Sequence, residues 1–569
     1  MPLTKDALKR RIDQALGRQP ADVVIRNARI LDLVSGELED GDVAIAGDMI
    51  VGVYDGYEGK VTLDGRGAVV VPGFIDTHVH VESTCVTPSE FDRCALPRGT
   101  TTAICDPHEI VNVLGTAGLD YFLECAGHTV MDLKVQLSSC VPSTRLETSG
   151  ARVTAADLVR YRGHPANIGL AEFMSFDDIF SHSDEALDKL IAFQGARIDG
   201  HAPLLTGHRL NAYAACGIHN CHESTSRPEA EEKLRKGIQV LIRDGSACKD
   251  VRTLAPLLND RTSPFIAFCT DDRNPLDIAE EGHIDHLVRS AISAGAPVAA
   301  AYRAATWSAA NGFGLRDRGL VAPGYRADLL LVDDLEYCEV RTVIRGGEIV
   351  TAESFREAPA VAPVGYRSVK LDPVAVDDFD VRSSGPSGPV IGIIPGQVLT
   401  EHLTMTLPYR DGLRLSDPER DVLKVCVFSR HGTNRNVGRG FVTGFGFKRG
   451  ALASSVGHDS HNVIVVGADD GDMAAAVNRL IELQGGFVAM VDGSVIAELP
   501  LPVAGLISDR PFEDVRDSLR RLRRDVREMG CDLTEPFLQL AFLPLPVIPH
   551  LKITDMGLVD VDRFELIAA

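Results

Sequence analysis

Short blocks of alternating apolar and polar residues run through residues 21–72 (ADVVIRNARILDLVSG, DVAIAGDMIVGVYDG, VTLDGRGAVVVPG). Gly and Asp punctuate them, and the pattern predicts β-hairpins of a small sheet. The same texture returns at 323–352. Two strand-rich patches around a long middle segment predict one split β-sandwich domain, residues 21–72 plus 323–355, closed around an insertion. Ahead of it, residues 1–20 read as an amphipathic, charged N-terminal helix.

The middle segment, 73–322, has a different rhythm. Eight short apolar runs each end in polar or ionisable residues and are followed by a helix-like stretch. They are VVVPGFIDTHVH, TTAICDPHE, LKVQLSSCVPS, ANIGLAEFM, ARIDGHAP, GIHNCHE, IQVLIRDGS and SPFIAFCTDD. Eight strands alternating with helices over this length predict an α/β fold, a TIM-like (β/α)8 barrel. The ionisable residues fall at the C-terminal ends of the runs, the face of such a barrel that carries chemistry. From residue 360 to 569 a further α/β domain is expected. The stretch Ser383, Ser384, Gly385, Pro386, Ser387, Gly388, Pro389 marks its border, and no fixed-period repeat is found.

The chain has 569 residues, 58 Lys+Arg and 80 Asp+Glu, for a formal net charge of −22. That balance disfavours a nucleic-acid or anionic-membrane partner, and none is expected, since a phosphate footprint needs a cationic surplus. Twelve Cys without a CxxC pair read as reduced thiols, not a disulfide framework. Neither a secretory leader nor an apolar run of membrane-spanning length is visible, so a cytoplasmic protein is expected.

The chemistry concentrates at the strand ends. His78 and His80 stand two apart on the first run, so both imidazoles face the barrel interior. There a bare His pair is costly unless it binds something. Glu172, His201, His222 and Asp271 end the fourth, fifth, sixth and eighth runs. Each alone has a bland explanation as a strand-end cap. Together they form a nitrogen–oxygen donor set suited to a divalent transition metal. Six donors exceed what one tetrahedral ion needs, which points to two metal ions sharing a carboxylate. Such ions supply hydroxide near neutral pH, and Asp271 can accept and pass on the nucleophile's proton. The chemistry is metal-assisted hydrolysis of a carbon–heteroatom bond.

The frame PGFIDTHVHVEST with His201, His222 and Asp271 resembles the amidohydrolase superfamily. CDPHEIVNVLG, GHAPLLTG, CHEST, TDDRNPLDIAEEGHIDHLVR, GHDSHNVIVVG and LPLPVIPHLKITDMGLVDV sharpen the resemblance to the bacterial adenine deaminases, from about residue 21 to 561. That resemblance implies hydrolysis of adenine to hypoxanthine and ammonia in purine salvage. It implies a centre of two divalent metals, with manganese or iron as occupants; the donors suit zinc as well. It makes His78, His80, His201 and His222 metal ligands, Glu172 the bridging carboxylate, and Asp271 both ligand and proton shuttle. No Lys lies between Lys134 and Lys189, so a carboxylated lysine cannot serve at the fourth strand. The alternative is a related enzyme acting on another aminopurine or cyclic amidine.

Other residues carry open readings. Glu82 faces the rim by strand periodicity and is either a catalytic proton relay to ring N1 or a partner that orients a His. Asp106, His108 and Glu109 end the second strand as metal or substrate contacts, or as a turn with a helix N-terminal carboxylate. Asp272, beside Asp271, is expected to point elsewhere. His458 and His461 either cover the barrel mouth and complete the pocket, as the resemblance suggests, or belong to a solvent loop that caps a helix. Arg439, Lys448 and Arg449 lie in a Gly-rich stretch without P-loop order, which excludes nucleotide hydrolysis on that motif. Thr84 stands where the resemblance leads one to expect Ser, and keeps the hydroxyl. A homo-oligomer, a dimer above others, is expected for a barrel of this size.

Overall fold

The computed structural model describes residues 4–569. Lys5–Ala15 is a helix whose first turn is closed by the Thr4 hydroxyl, which accepts from the Ala7 N–H at 3.2 Å. Strands from both ends of the expected split domain build two sheets. One orders Met49–Val53, Val43–Ala46, Ala21–Arg26 and Gly59–Asp64. The other orders Glu348–Ile349, Val340–Arg345, Leu329–Val332, Val69–Pro72, Arg29–Leu31 and Leu38–Asp40. Ile25, Val43 and Ile50 of the first pack against Ile30, Val70, Leu329 and Ile344 of the second.

The expected succession of hairpins is corrected here. Ala21–Arg26 does not pair with Arg29–Leu31; Asn27, at φ 53°, turns the chain so that the two strands join different sheets. An Asn tolerates that left-handed conformation better than most residues, and alternation alone is blind to the crossing.

The run 69–80 also divides. Val69–Pro72 belongs to the six-stranded sheet, and Phe74–Val79 opens the next domain. Gly73 sits at the break, where a Cβ would lie 2.2 Å from the Thr101 hydroxyl. We label the strands that follow β1 (Phe74–Val79), β2 (Thr100–Cys105), β3 (Asp132–Leu137), β4 (Asn167–Phe173), β5 (Ile198–Gly200), β6 (Asn220–Cys221), β7 (Gln239–Arg243) and β8 (Ile266–Cys269). β1 to β5 form one parallel sheet in sequence order, and β6 to β8 another. The Asp271 N–H donates to the His78 carbonyl at 2.9 Å, and the His80 N–H to the Asp271 carbonyl at 3.0 Å, which brings β8 back beside β1. The His219 N–H reaches the Ile198 carbonyl at 3.3 Å between β5 and β6. The result is a curled parallel α/β domain of TIM-like type.

The C-terminal part holds an eight-stranded sheet, helices Asp470–Leu483 and Phe512–Glu528, and a three-stranded sheet ending at Glu565–Ile567. Of the Ser/Gly/Pro stretch, Ser387, Gly388 and Pro389 begin strand Ser387–Ile393, paired antiparallel with Thr400–Thr406. One apolar cluster runs without a break from Val81, Val86 and Phe91 of the barrel to Val503, Leu506 and Ile507 of the C-terminal part. Among the described residues, no helix is long and apolar enough to cross a membrane.

Candidate metal centre

β1 presents His78 and, one residue past its end, His80, with their Nε2 atoms 3.1 Å apart. The His80 Nδ1 lies 3.0 Å from the Asp106 carbonyl, a contact that fixes Nδ1–H as the donor and turns the Nε2 lone pair inward. The Asp271 Oδ1 lies 3.1 Å from His80 Nε2 and 3.5 Å from His78 Nε2. The Glu172 Oε1 lies 3.3 and 3.6 Å from the same two nitrogens. The other oxygen of Glu172 faces a second group, with Oε2 at 2.7 Å from His201 Nδ1 and 3.4 Å from His222 Nε2. Glu172 thus divides its two oxygens between two sets of donors.

These spacings suit a divalent metal, because ligand bonds of roughly 2.1 Å around one centre hold adjacent donors about 3 Å apart. All six side chains are buried. Four imidazoles and two carboxylates are thus packed directly against one another, a donor set whose lone pairs converge as a divalent metal requires.

The electrostatics follow from burial opposed by partners. Burial works against ionisation of Glu172, yet His201 and His222 hold its carboxyl well below the usual range. Asp271 is held low in the same way, against burial, by His78, His80 and Arg243. His80 is raised well above its ordinary value, since Asp271 and Glu172 outweigh desolvation.

Arg243 and Glu223 were missed in the sequence. Arg243 ends β7 fully inside the protein, donates to Asp271 Oδ2 at 2.8 Å, and forks onto Glu223, Nη2 to Oε2 at 3.1 Å. The strand-end rule that found the other residues would have found Arg243 at the end of IQVLIRDGS; Glu223 directly follows His222.

The second-strand residues divide between roles. Asp106 stands two residues before the helix His108–Leu114, accepts from the His108 N–H at 3.0 Å, and holds His108 Nδ1 at 2.9 Å. The His108 ring packs edge-on to His80 with centroids 4.5 Å apart. Glu109 turns the other way, to His458 (Nδ1 to Oε1, 3.0 Å) and to His461 Nε2. His458 and His461 therefore sit over the barrel mouth, brought there from the C-terminal part.

Two readings need correction. Glu82 is not on an extended strand: β1 ends at Val79, and Val81–Thr84 is a 3-10 turn. Its Oε1 accepts from the Ile110 N–H at 3.0 Å, and burial together with Glu109 pushes its carboxyl up to about 8. Asp272 does not point away. Asp271 has φ 58°, which breaks strand alternation, so both Asp residues turn towards the mouth. Asp272 accepts from the Ser83 hydroxyl and is pushed up to about 6 by burial and by Asp271.

Val398, His458, Asp459, Phe542, Leu545 and Ile548 close the chamber from above, leaving 30 Å³. Phe542 stacks on His458, centroids 4.7 Å apart and planes 10° apart. The fully buried Lys552 donates to the carbonyls of Val398 (2.7 Å) and Phe542 (3.0 Å).

With this geometry the comparisons agree. Residues 69–350 match the amidohydrolase family, and residues 397–565 match the adenine deaminase C-terminal domain. The adenine deaminase of Methylobacterium nodulans is 59% identical over 98% of this chain and 99% of its own length. Those of Gluconobacter oxydans and a Methylobacterium species are each 60% identical, over 97% and 99% of this chain and 98% and 100% of theirs. The chain belongs to the adenine deaminase family. The family match spans both the barrel and the segment that covers its mouth, so the lid formed by His458 and Phe542 lies within the matched regions.

Proposed function

We propose that this chain hydrolyses adenine to hypoxanthine and ammonia, as a step of purine salvage. The division of the Glu172 oxygens between His78/His80 and His201/His222 is the observation that carries the reading. We assign His78, His80, Glu172, His201, His222 and Asp271 as ligands of two divalent metals, manganese or iron, with zinc also suited to the donors. When bound, such a pair makes a water acidic enough to supply hydroxide near neutral pH.

The protein's own groups handle position and protons. Arg243 holds one Asp271 oxygen, which keeps that carboxylate ionised and able to take the attacking water's proton. Glu82, with its carboxyl raised to about 8, is protonated at neutral pH and is assigned to protonate N1 as C6 is attacked. Asp271 returns its proton to the departing amino group, and the hydroxyl proton left on C6 restores the Glu82 acid as the carbonyl of hypoxanthine forms. The C-terminal residues over the chamber exclude bulk water. Room for only a few waters remains in 30 Å³, so adenine is admitted by displacement of that cover.

In this reading β1 to β8 close as a (β/α)8 barrel over 73–322. The split sandwich (21–72, 323–355) lies below it and the domain 360–569 above its mouth. Ammonia release should be measured from adenine, adenosine, guanine and cytosine after manganese loading. Free adenine should be the fastest by a wide margin; turnover of another base in its place overturns the substrate. Glu82→Gln should lower kcat about 10²-fold or more without loss of metal.

A further inference from the structure

Two cavities adjoin the reaction chamber, and each shares one wall residue with it. Met174, just past β4, borders both the chamber and a cleft of 480 Å³ lined by Leu204, by Arg209 of the helix Gly207–Ala215 and by Phe564. Asp272, just past β8, borders both the chamber and a cavity of 50 Å³. The cleft lies at β4 and β5 and the small cavity at β8 and β1, half the barrel away.

Size separates what each can take. The cleft falls within the roughly 300–1,000 Å³ of small-molecule sites. A water needs about 10–15 Å³ of such space, so 50 Å³ holds a few molecules the size of water or ammonia and no purine. The walls agree with that division. Leu519, Leu522 and Leu538 line the small cavity with hydrocarbon, which a neutral ammonia crosses more readily than an ion. Glu82 and Asp272 stand at its inner end, and the Arg523–Glu535 ion pair at its partly exposed outer end. The Ser83–Asp272 hydrogen bond is the partition between cavity and chamber.

We propose that the small cavity is the passage by which water reaches the site and ammonia leaves it while the cover is closed, separate from the wider cleft at β4 and β5. This rests on the deaminase reading, in which one water is consumed and one ammonia formed per adenine. The amino group departs where Glu82 and Asp272 meet the cavity, so ammonia need not wait for hypoxanthine to go.

The passage has a kinetic signature. Ammonia escape follows cleavage of the C–N bond, so blocking it lowers kcat and spares kcat/KM. Leu522→Trp fills the cavity from helix Phe512–Glu528, and Leu538→Trp fills it from the half-buried face of helix Pro536–Ala541. Each metal-loaded variant that keeps the parent's melting temperature should lose about tenfold in kcat, with kcat/KM for adenine within about twofold. Chemical quench should then give a burst of one hypoxanthine per site. Unchanged kcat in either folded variant, or a loss shared equally by kcat and kcat/KM with no burst, overturns the passage. A parent that releases no ammonia from adenine overturns the deaminase reading and the passage with it, so the two failures are distinguishable.

Discussion

The imidazole of His458, in the C-terminal part, lies 3.0 Å from Glu109 on the barrel, Nδ1 to Oε1. Burial opposes a charged imidazole, yet Glu109 raises His458 to about 9, so the contact is an ion pair at neutral pH. It ties the cover to the mouth without touching His201 or His222. His458→Ala should raise KM for adenine about tenfold and leave the metal content at the parent's level. Elemental analysis beside steady-state kinetics checks this; lost metal or an unmoved KM counts against it.

Glu172 turns one oxygen to His78 and His80 and the other to His201 and His222. Glu172→Gln keeps the shape and removes the charge that offsets four buried imidazoles. Bound metal should drop by at least one ion per chain, and ammonia release should fall with it. Metal content at the parent's level would remove Glu172 from the centre.

Arg243 is buried between Asp271 and Glu223. Arg243→Met leaves two buried carboxylates without their cation, a change that costs about 3–5 kcal/mol for a broken buried pair. Urea unfolding of parent and variant, with metal removed from both, measures the loss directly. A difference under about 1 kcal/mol would mean that the pair is neutral to the fold.

Lys552 gives a pH dependence with a definite sign. Burial lowers its amine from 10.5 to about 7, with no carboxylate beside it. Between those values the unfolded chain holds a proton that the folded chain has released, so stability rises with pH across the window. The destabilising contribution is absent above 10.5 and complete below about 7. Lys552→Met removes that slope. The stability of the parent minus that of the variant should increase by on the order of a few kcal/mol from pH 7 to 9.5. A flat difference in urea melts at the two pH values would sink the assignment.

What the sequence determined by itself was local. His78, His80, Glu172, His201, His222 and Asp271 each end an apolar run, and a parallel sheet that curls must bring such ends together. The structure does bring those six side chains within reach of one another. Alternation also marked the strand-rich patches on either side of the barrel segment.

Tertiary structure decided the rest, for physical reasons that no short window contains. The positive φ of Asp271 turned Asp272 inward against strand periodicity. The 3-10 turn after β1 carried Glu82 to the Ile110 N–H and away from strand geometry. Asn27 sent two adjacent strands into different sheets. The cover over the chamber depends on Phe542, His458 and Val398 meeting from three distant stretches, with Lys552 fastening two of their carbonyls. Local pattern dictates which residues end a strand; only packing between domains dictates which of those ends are closed off from water.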